Sequence, residues 1–168
     1  MPYTLEQFSA DIRSELSADS SPAGQARILE FVTKALLDDD FIEQHLQANV
    51  CKPRKVLFED SELGFCICGH VYEEGMTKVW PHDHGPTWAI YGLAGGETEM
   101  TDWKIVKQGD DTNATLVEPT RKYEMKRGDC YLYKTGDVHS PVIGVDAKLI
   151  RVEGENLDHV KRSNIKAA

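Results

Sequence analysis

From Val56 to Glu153 the sequence alternates apolar and polar residues with a period of two, and turn chemistry interrupts it at close intervals. The alternation predicts short strands at 56–60, 64–72, 76–82, 88–94, 97–106, 115–126, 128–134, 139–145 and 148–153. Between them stand Gly64, Gly75, Gly85-Pro86, Gly95-Gly96, Gly109-Asp110, Arg127-Gly128-Asp129 and Gly136-Asp137, the residue types that tight turns require. So many short strands without helical crossovers can bury their apolar faces only as a barrel or a sandwich. The sequence has no solenoid-type repeat and no low-complexity tract.

The first third has a helical period instead. Thr4 and Gln7 form a capping-box pattern, and Leu5, Phe8, Ile12 and Leu16 follow along one face. Ser21-Pro22 then supplies a cap and a first-turn proline for a second helix, with Ile28, Phe31, Val32, Ala35 and Leu36 as its apolar stripe. Asp38, Asp39 and Asp40 end that helix. Phe41, Ile42 and Leu46 allow another turn or two before Pro53. One domain over 1–168 is expected, with helices over 1–50, a barrel over 54–155 and a fraying tail, KRSNIKAA.

The balance of 28 acidic against 19 basic side chains, a net charge of -9, repels phosphate backbones and anionic membrane surfaces. Neither nucleic acid nor membrane is an expected partner. No apolar run approaches the roughly 18 residues of a membrane span, and the N-terminus lacks a secretory pattern, so a cytoplasmic location is expected. Cys51, Cys66, Cys68 and Cys130 make no disulfide framework, and the C-x-C at 66 and 68 lacks zinc-finger spacing; reduced, packed cysteines are expected. The oligomeric state stays open, a homodimer included.

Two segments carry the chemistry. In WPHDHGPTWAIYGLAGG, His82 and His84 are two apart, so on a strand both imidazoles project from one face and can reach one ion. Neutral imidazoles suit Fe, Zn, Cu or Ni. In RGDCYLYKTGDVHSPVIG, two turns bracket a strand and His139 opens the next. These segments match the two cupin motifs, with Lys134 where the second motif usually has proline. The resemblance implies a mainly β fold, the cupin double-stranded β-helix (jelly-roll barrel) with an N-terminal helical segment, and metal ligands His82, His84 and His139. Many cupins add a glutamate soon after the histidine pair; Trp88 and Ala89 stand there, and Glu97 lies beyond the expected turn. His70, on a strand leading to the site, is expected to be packed or to support a ligand; His45 and His159 lie outside the motifs.

Over residues 54–155, from FCICGHVY through HDHGPTWAIYGLAGGETEMTDW to HSPVIG and LIRVEG, the chain resembles the thiol dioxygenases, the cysteine dioxygenase group of three-histidine cupins. That resemblance implies Fe(II) as cofactor, a small thiol and O2 as substrates, and a sulfinate as product. It also implies a substrate-anchoring arginine, for which Arg54 is the nearest match. Ala89 replaces the crosslinking cysteine of some members, and Leu149, Arg151 and Glu153 replace their Ser-His-Tyr stretch. Arg151 and Glu153, two apart on a strand, share a face and are candidates to take over that network. Tyr91, Tyr131 and Tyr133 are further hydroxyl sources or core aromatics, and Trp80 and Trp88 are expected to shape the pocket wall. Two other readings stay open: a different three-histidine oxygenase, such as one cleaving a β-diketone, or a non-catalytic cupin that binds a small molecule at its metal.

Overall fold

The computed structural model describes residues 2–76 and 79–168. Helix α1 spans Leu5–Ala18 and begins with the expected capping box, Thr4 and Gln7 exchanging hydrogen bonds. Helix α2 spans Pro22–Leu37 with Ser21 as its cap. Asp38 caps α3, Asp39–His45, through Phe41 N (2.9 Å), and a short α4, Ala48–Cys51, follows.

Strands β1 (Arg54–Glu59), β2 (Cys66–Tyr72), β3 (Ala89–Gly95), β4 (Thr98–Lys107), β5 (Thr115–Met125), β6 (Cys130–Tyr133), β7 (Val138–Ile143), β8 (Ala147–Glu153) and β9 (Ile165–Ala167) form two sheets. Their orders are β1-β2-β8-β3-β6 and β7-β4-β5-β9. The expected strand 76–82 survives as bridges from Met76 to Ile143 and from His82 to His139, plus a bond from Val79 N to Pro141 O; Thr77 and Lys78 lie outside the described residues. With Met76, Val79 and His82 bonded to β7 on its free side, the order β2-β8-β3-β6 faces these residues followed by β7-β4-β5. This is the strand order of an eight-stranded jelly roll, the cupin double-stranded β-helix.

Strand alternation separates two apolar clusters. Ile67 of β2, Ile90 of β3, and Ile150 and Val152 of β8 face outward onto the helices, meeting Phe8, Ile28, Val32, Leu36 and Phe41. Glycine allows this close docking: a Cβ on Gly92 would come within 2.8 Å of Leu36 Cδ1 and 3.0 Å of Val32 Cγ1. Inside the barrel, Tyr91, Leu93, Met100, Met125, Tyr133, Ile143 and Leu149 form the second cluster. The polar inward positions of β2 and β8, Cys66, Cys68, His70, Arg151 and Glu153, leave a chemically equipped interior.

The expected fraying tail is a correction. Ile165–Ala167 pairs in parallel with Thr115–Val117, and Thr115 N donates to Asn164 O (2.9 Å). The tail occupies β5 donors and acceptors that an open sheet edge would expose. Its three residues, Ile165-Lys166-Ala167, are too few for a period-two signal.

Candidate metal centre

His139 sits in β7, and the backbones of His82 and His139 bond reciprocally, each N–H to the other's carbonyl at 3.0 Å. This antiparallel bridge sets both rings side by side inside the barrel, centroids 4.6 Å apart, and the period-two spacing brings His84 to 4.7 Å from His139. One nitrogen from each of the three rings lies within 4.8 Å of the others. An ion with ordinary metal–imidazole bonds spaces its nitrogens at about 3.4 Å in a tetrahedron, so small ring movements close the set.

Burial, more than any neighbouring charge, keeps these rings neutral. It lowers His82 to about 4 and His84 to about 2, with Arg151 adding to both, and holds His139 well below the ordinary histidine value. Neutral rings offer lone pairs without proton competition. His82 Nδ1 lies 2.8 Å from the Trp80 carbonyl, which fixes that nitrogen as the donor and turns Nε2 toward the cluster. Buried Nδ1 atoms of His84 and His139 have no hydrogen-bond partner among the described residues, while His84 Nε2 accepts from Arg151, a bond that an ion at that nitrogen would replace. Three converging neutral imidazoles with unsatisfied nitrogens fit a metal ion. No carboxylate joins this set among the described residues; Glu97 instead lines a separate surface groove with Glu99 and Lys126.

A cavity of about 150 Å3 reaches the centre, lined by His82, Arg151, Arg162, Tyr72 and Tyr91 and by aliphatic groups such as Val79, Pro141 and Leu149. The Tyr91 hydroxyl is buried on the strand beside Arg151, and burial pushes its pKa up, so it stays protonated. Arg151 lies 3.1 Å from His84 Nε2 and 3.5 Å from Glu153 Oε1. Arg54 is not on the cavity wall. Its two terminal nitrogens bond Glu153 (2.8 Å) and Asp158 (2.6 Å), so Glu153 gathers both arginines.

Arg162 is the site residue that sequence reasoning missed. It is exposed overall and forms no ion pair among the described residues; partial desolvation at the cavity, with Arg151 nearby, lowers its pKa. Nothing local marks it; the pairing of the tail with β5 and the bond from Ser163 Oγ to Asp83 (2.8 Å) bring it to the cavity. Tyr133, expected as a hydroxyl source or a core aromatic, stacks on His139 at 3.8 Å, and its hydroxyl continues through Tyr123 (2.8 Å) to Asp102 (3.1 Å). Tyr131 lies over Tyr123 at 4.8 Å, away from the cavity.

The tryptophans require correction. Trp88 packs into the helix-side cluster because its neighbour Ala89 takes the inward phase of β3, and Trp80 is 70% exposed, contributing its carbonyl to His82. Neither lines the cavity. His70 is packed and 2% exposed, with Tyr72 3.3 Å from its Nδ1 and its charge suppressed by burial.

No family model and no curated protein sequence matches the chain. Among solved structures, KdgF from Halomonas sp. is 16% identical over 64% of this chain and 83% of its own, with a TM-score of 0.46. A cupin superfamily protein from Desulfitobacterium hafniense DCB-2 is 15% identical over 59% and 72%, at 0.41. The DMSP lyase DddQ from Ruegeria pomeroyi DSS-3 is 12% identical over 65% and 49%, at 0.44. Of these three, the Desulfitobacterium protein is described as a member of the cupin superfamily. The chemistry of the site stands on its own residues.

Proposed function

We propose that this chain is a mononuclear Fe(II) oxygenase that oxidises a small thiol carboxylate with O2 to the sulfinate. One observation carries the reading: a neutral three-histidine set, joined by no carboxylate among the described residues, opens onto a cavity that also presents two guanidinium groups. Iron held by His82, His84 and His139 would supply the redox chemistry that O2 requires and side chains lack. Three neutral ligands leave the full charge of the ion facing the cavity, which favours a thiolate over a neutral ligand. Arg162, which forms no ion pair among the described residues, would clamp a carboxylate, and Arg151 adds a second positive charge. Protonated Tyr91 is a hydrogen-bond donor on the same wall. At about 150 Å3 the cavity is well below the roughly 300 Å3 of drug-sized pockets, which restricts the substrate to a few heavy atoms.

The reaction balances as RSH plus O2 giving RSO2H, both oxygen atoms entering the product. Oxygen-electrode assays of the Fe(II)-loaded protein with small thiol carboxylates, with product mass checked for two added oxygens, test it. Uptake that requires the thiol and disappears in His139→Ala supports the reading. Uptake with β-diketones and not with thiols would select carbon–carbon cleavage, to which the aliphatic part of the wall is suited. No uptake with either leaves a metal-bound binding module.

A further inference from the structure

Strand periodicity puts Cys66 and Cys68 on the inner face of β2, both fully buried, with their sulfurs 3.6 Å apart. Across the sheet β8 pairs Cys66 with Glu153, also fully buried, whose Oε2 lies 3.5 Å from Cys66 Sγ. The three donor atoms fall within 4.8 Å of one another. A tetrahedral ion with thiolate bonds of about 2.3 Å and a carboxylate bond of about 2.1 Å spaces its donors roughly 3.5–3.8 Å apart. Both measured edges fall in that range. We propose that Cys66, Cys68 and Glu153 form a second metal site inside the barrel, selective for a divalent thiophilic ion such as Zn(II) and separate from the histidine centre.

Charge supports a divalent ion. Arg54 and Arg151 face Glu153, and Asp158 pairs with Arg54, so the surroundings are balanced without an ion. An M(II) ion that displaces the two thiol protons to solvent adds two positive and two negative charges, and the balance holds. The Arg54 guanidinium, 3.3 Å from Cys68 Sγ, then donates to a thiolate, a stronger acceptor than a thiol. Soft sulfur donors distinguish this site from the all-nitrogen centre. Arg151 separates the two, its guanidinium lying between His84 and Glu153. Three protein donors leave one corner of a tetrahedron open.

The competing account is that the thiols only hydrogen-bond each other and the carboxylate, and titration of metal-free full-length protein with Co(II) under anaerobic conditions separates the two. The proposal expects a thiolate-to-cobalt charge-transfer band in the near ultraviolet, saturating at about one equivalent, in wild type and equally in His139→Ala. Cys66→Ser and Cys68→Ser should each lose the band while still binding cobalt at the histidines. Absence of the band from both wild type and His139→Ala would overturn the proposal, as would its survival in either serine variant. The His139→Ala arm decides the matter even if a serine variant does not fold. Because the readout needs no turnover, failure of thiol oxidation leaves this result intact.

Discussion

At the scale of single residues, the account turns on His139 and Arg162. His139 joins two β7 roles, bridging to His82 through its backbone and closing the triad through its ring, so His139→Ala should lose iron almost completely while keeping the fold. Metal analysis alongside circular dichroism checks this. Arg162→Gln should lower kcat/KM for a thiol carboxylate by about 10- to 100-fold, the worth of a charge-assisted hydrogen bond, and leave iron content unchanged. Arg162→Lys should recover only part of the loss because it lacks the planar fork. Equal activity of Arg162→Gln and wild type would remove Arg162 from the site.

At the scale of elements, the docking of α2 on β3 rests on the absence of a side chain at Gly92. Gly92→Ala should destabilise by about 1–3 kcal/mol through overpacking, and Leu36→Ala by about 2–5 kcal/mol through a cavity. Since the new methyl would meet Leu36 Cδ1 at 2.8 Å, the double variant should be less destabilised than the sum of the two, as denaturant titration would read. Most elements were legible because their signals are local. The Thr4 cap, the Ser21-Pro22 start, the alternation from Val56 and the HxH pair each depend on residues within a turn or a strand. What was not legible depends on long-range contact: β9 finding β5, Arg162 arriving at the cavity, Arg54 being taken by Glu153 and Asp158, and Glu153 completing a group with Cys66 and Cys68. The phase error at Trp88 shows the same limit, since both faces of β3 are buried and composition alone does not tell inside from outside.

At the scale of the whole molecule, an acidic chain surrounds a cationic cavity, which attracts small anions locally while the net charge of -9 repels polyanions. No helix among the described residues is long and apolar enough to cross a membrane. Acid stability should depend on Asp60, which ties the loop after β1 to α1 through Arg13 at 2.7 Å. Burial raises its carboxyl pKa, but the amides of Leu63 and Glu62 and the charge of Arg13 outweigh burial and leave it below the ordinary value. Its stabilisation is therefore present above the unfolded carboxyl pKa, near 3.9, and lost as pH falls through the lower folded value. Asn can still accept both amides at one oxygen, so Asp60→Asn should cost only about 1 kcal/mol at neutral pH, Arg13 being partly exposed, and should flatten this part of the acid-unfolding curve. An unchanged acid midpoint would remove Asp60 from the explanation. The central claim, that a thiolate joins the three-histidine ion, is tested most directly by X-ray absorption at the iron edge before and after adding a thiol carboxylate without O2. The account predicts imidazole nitrogens at about 2.1 Å beforehand and a new sulfur scatterer at about 2.3 Å afterwards; an iron shell that the thiol leaves unchanged would contradict it.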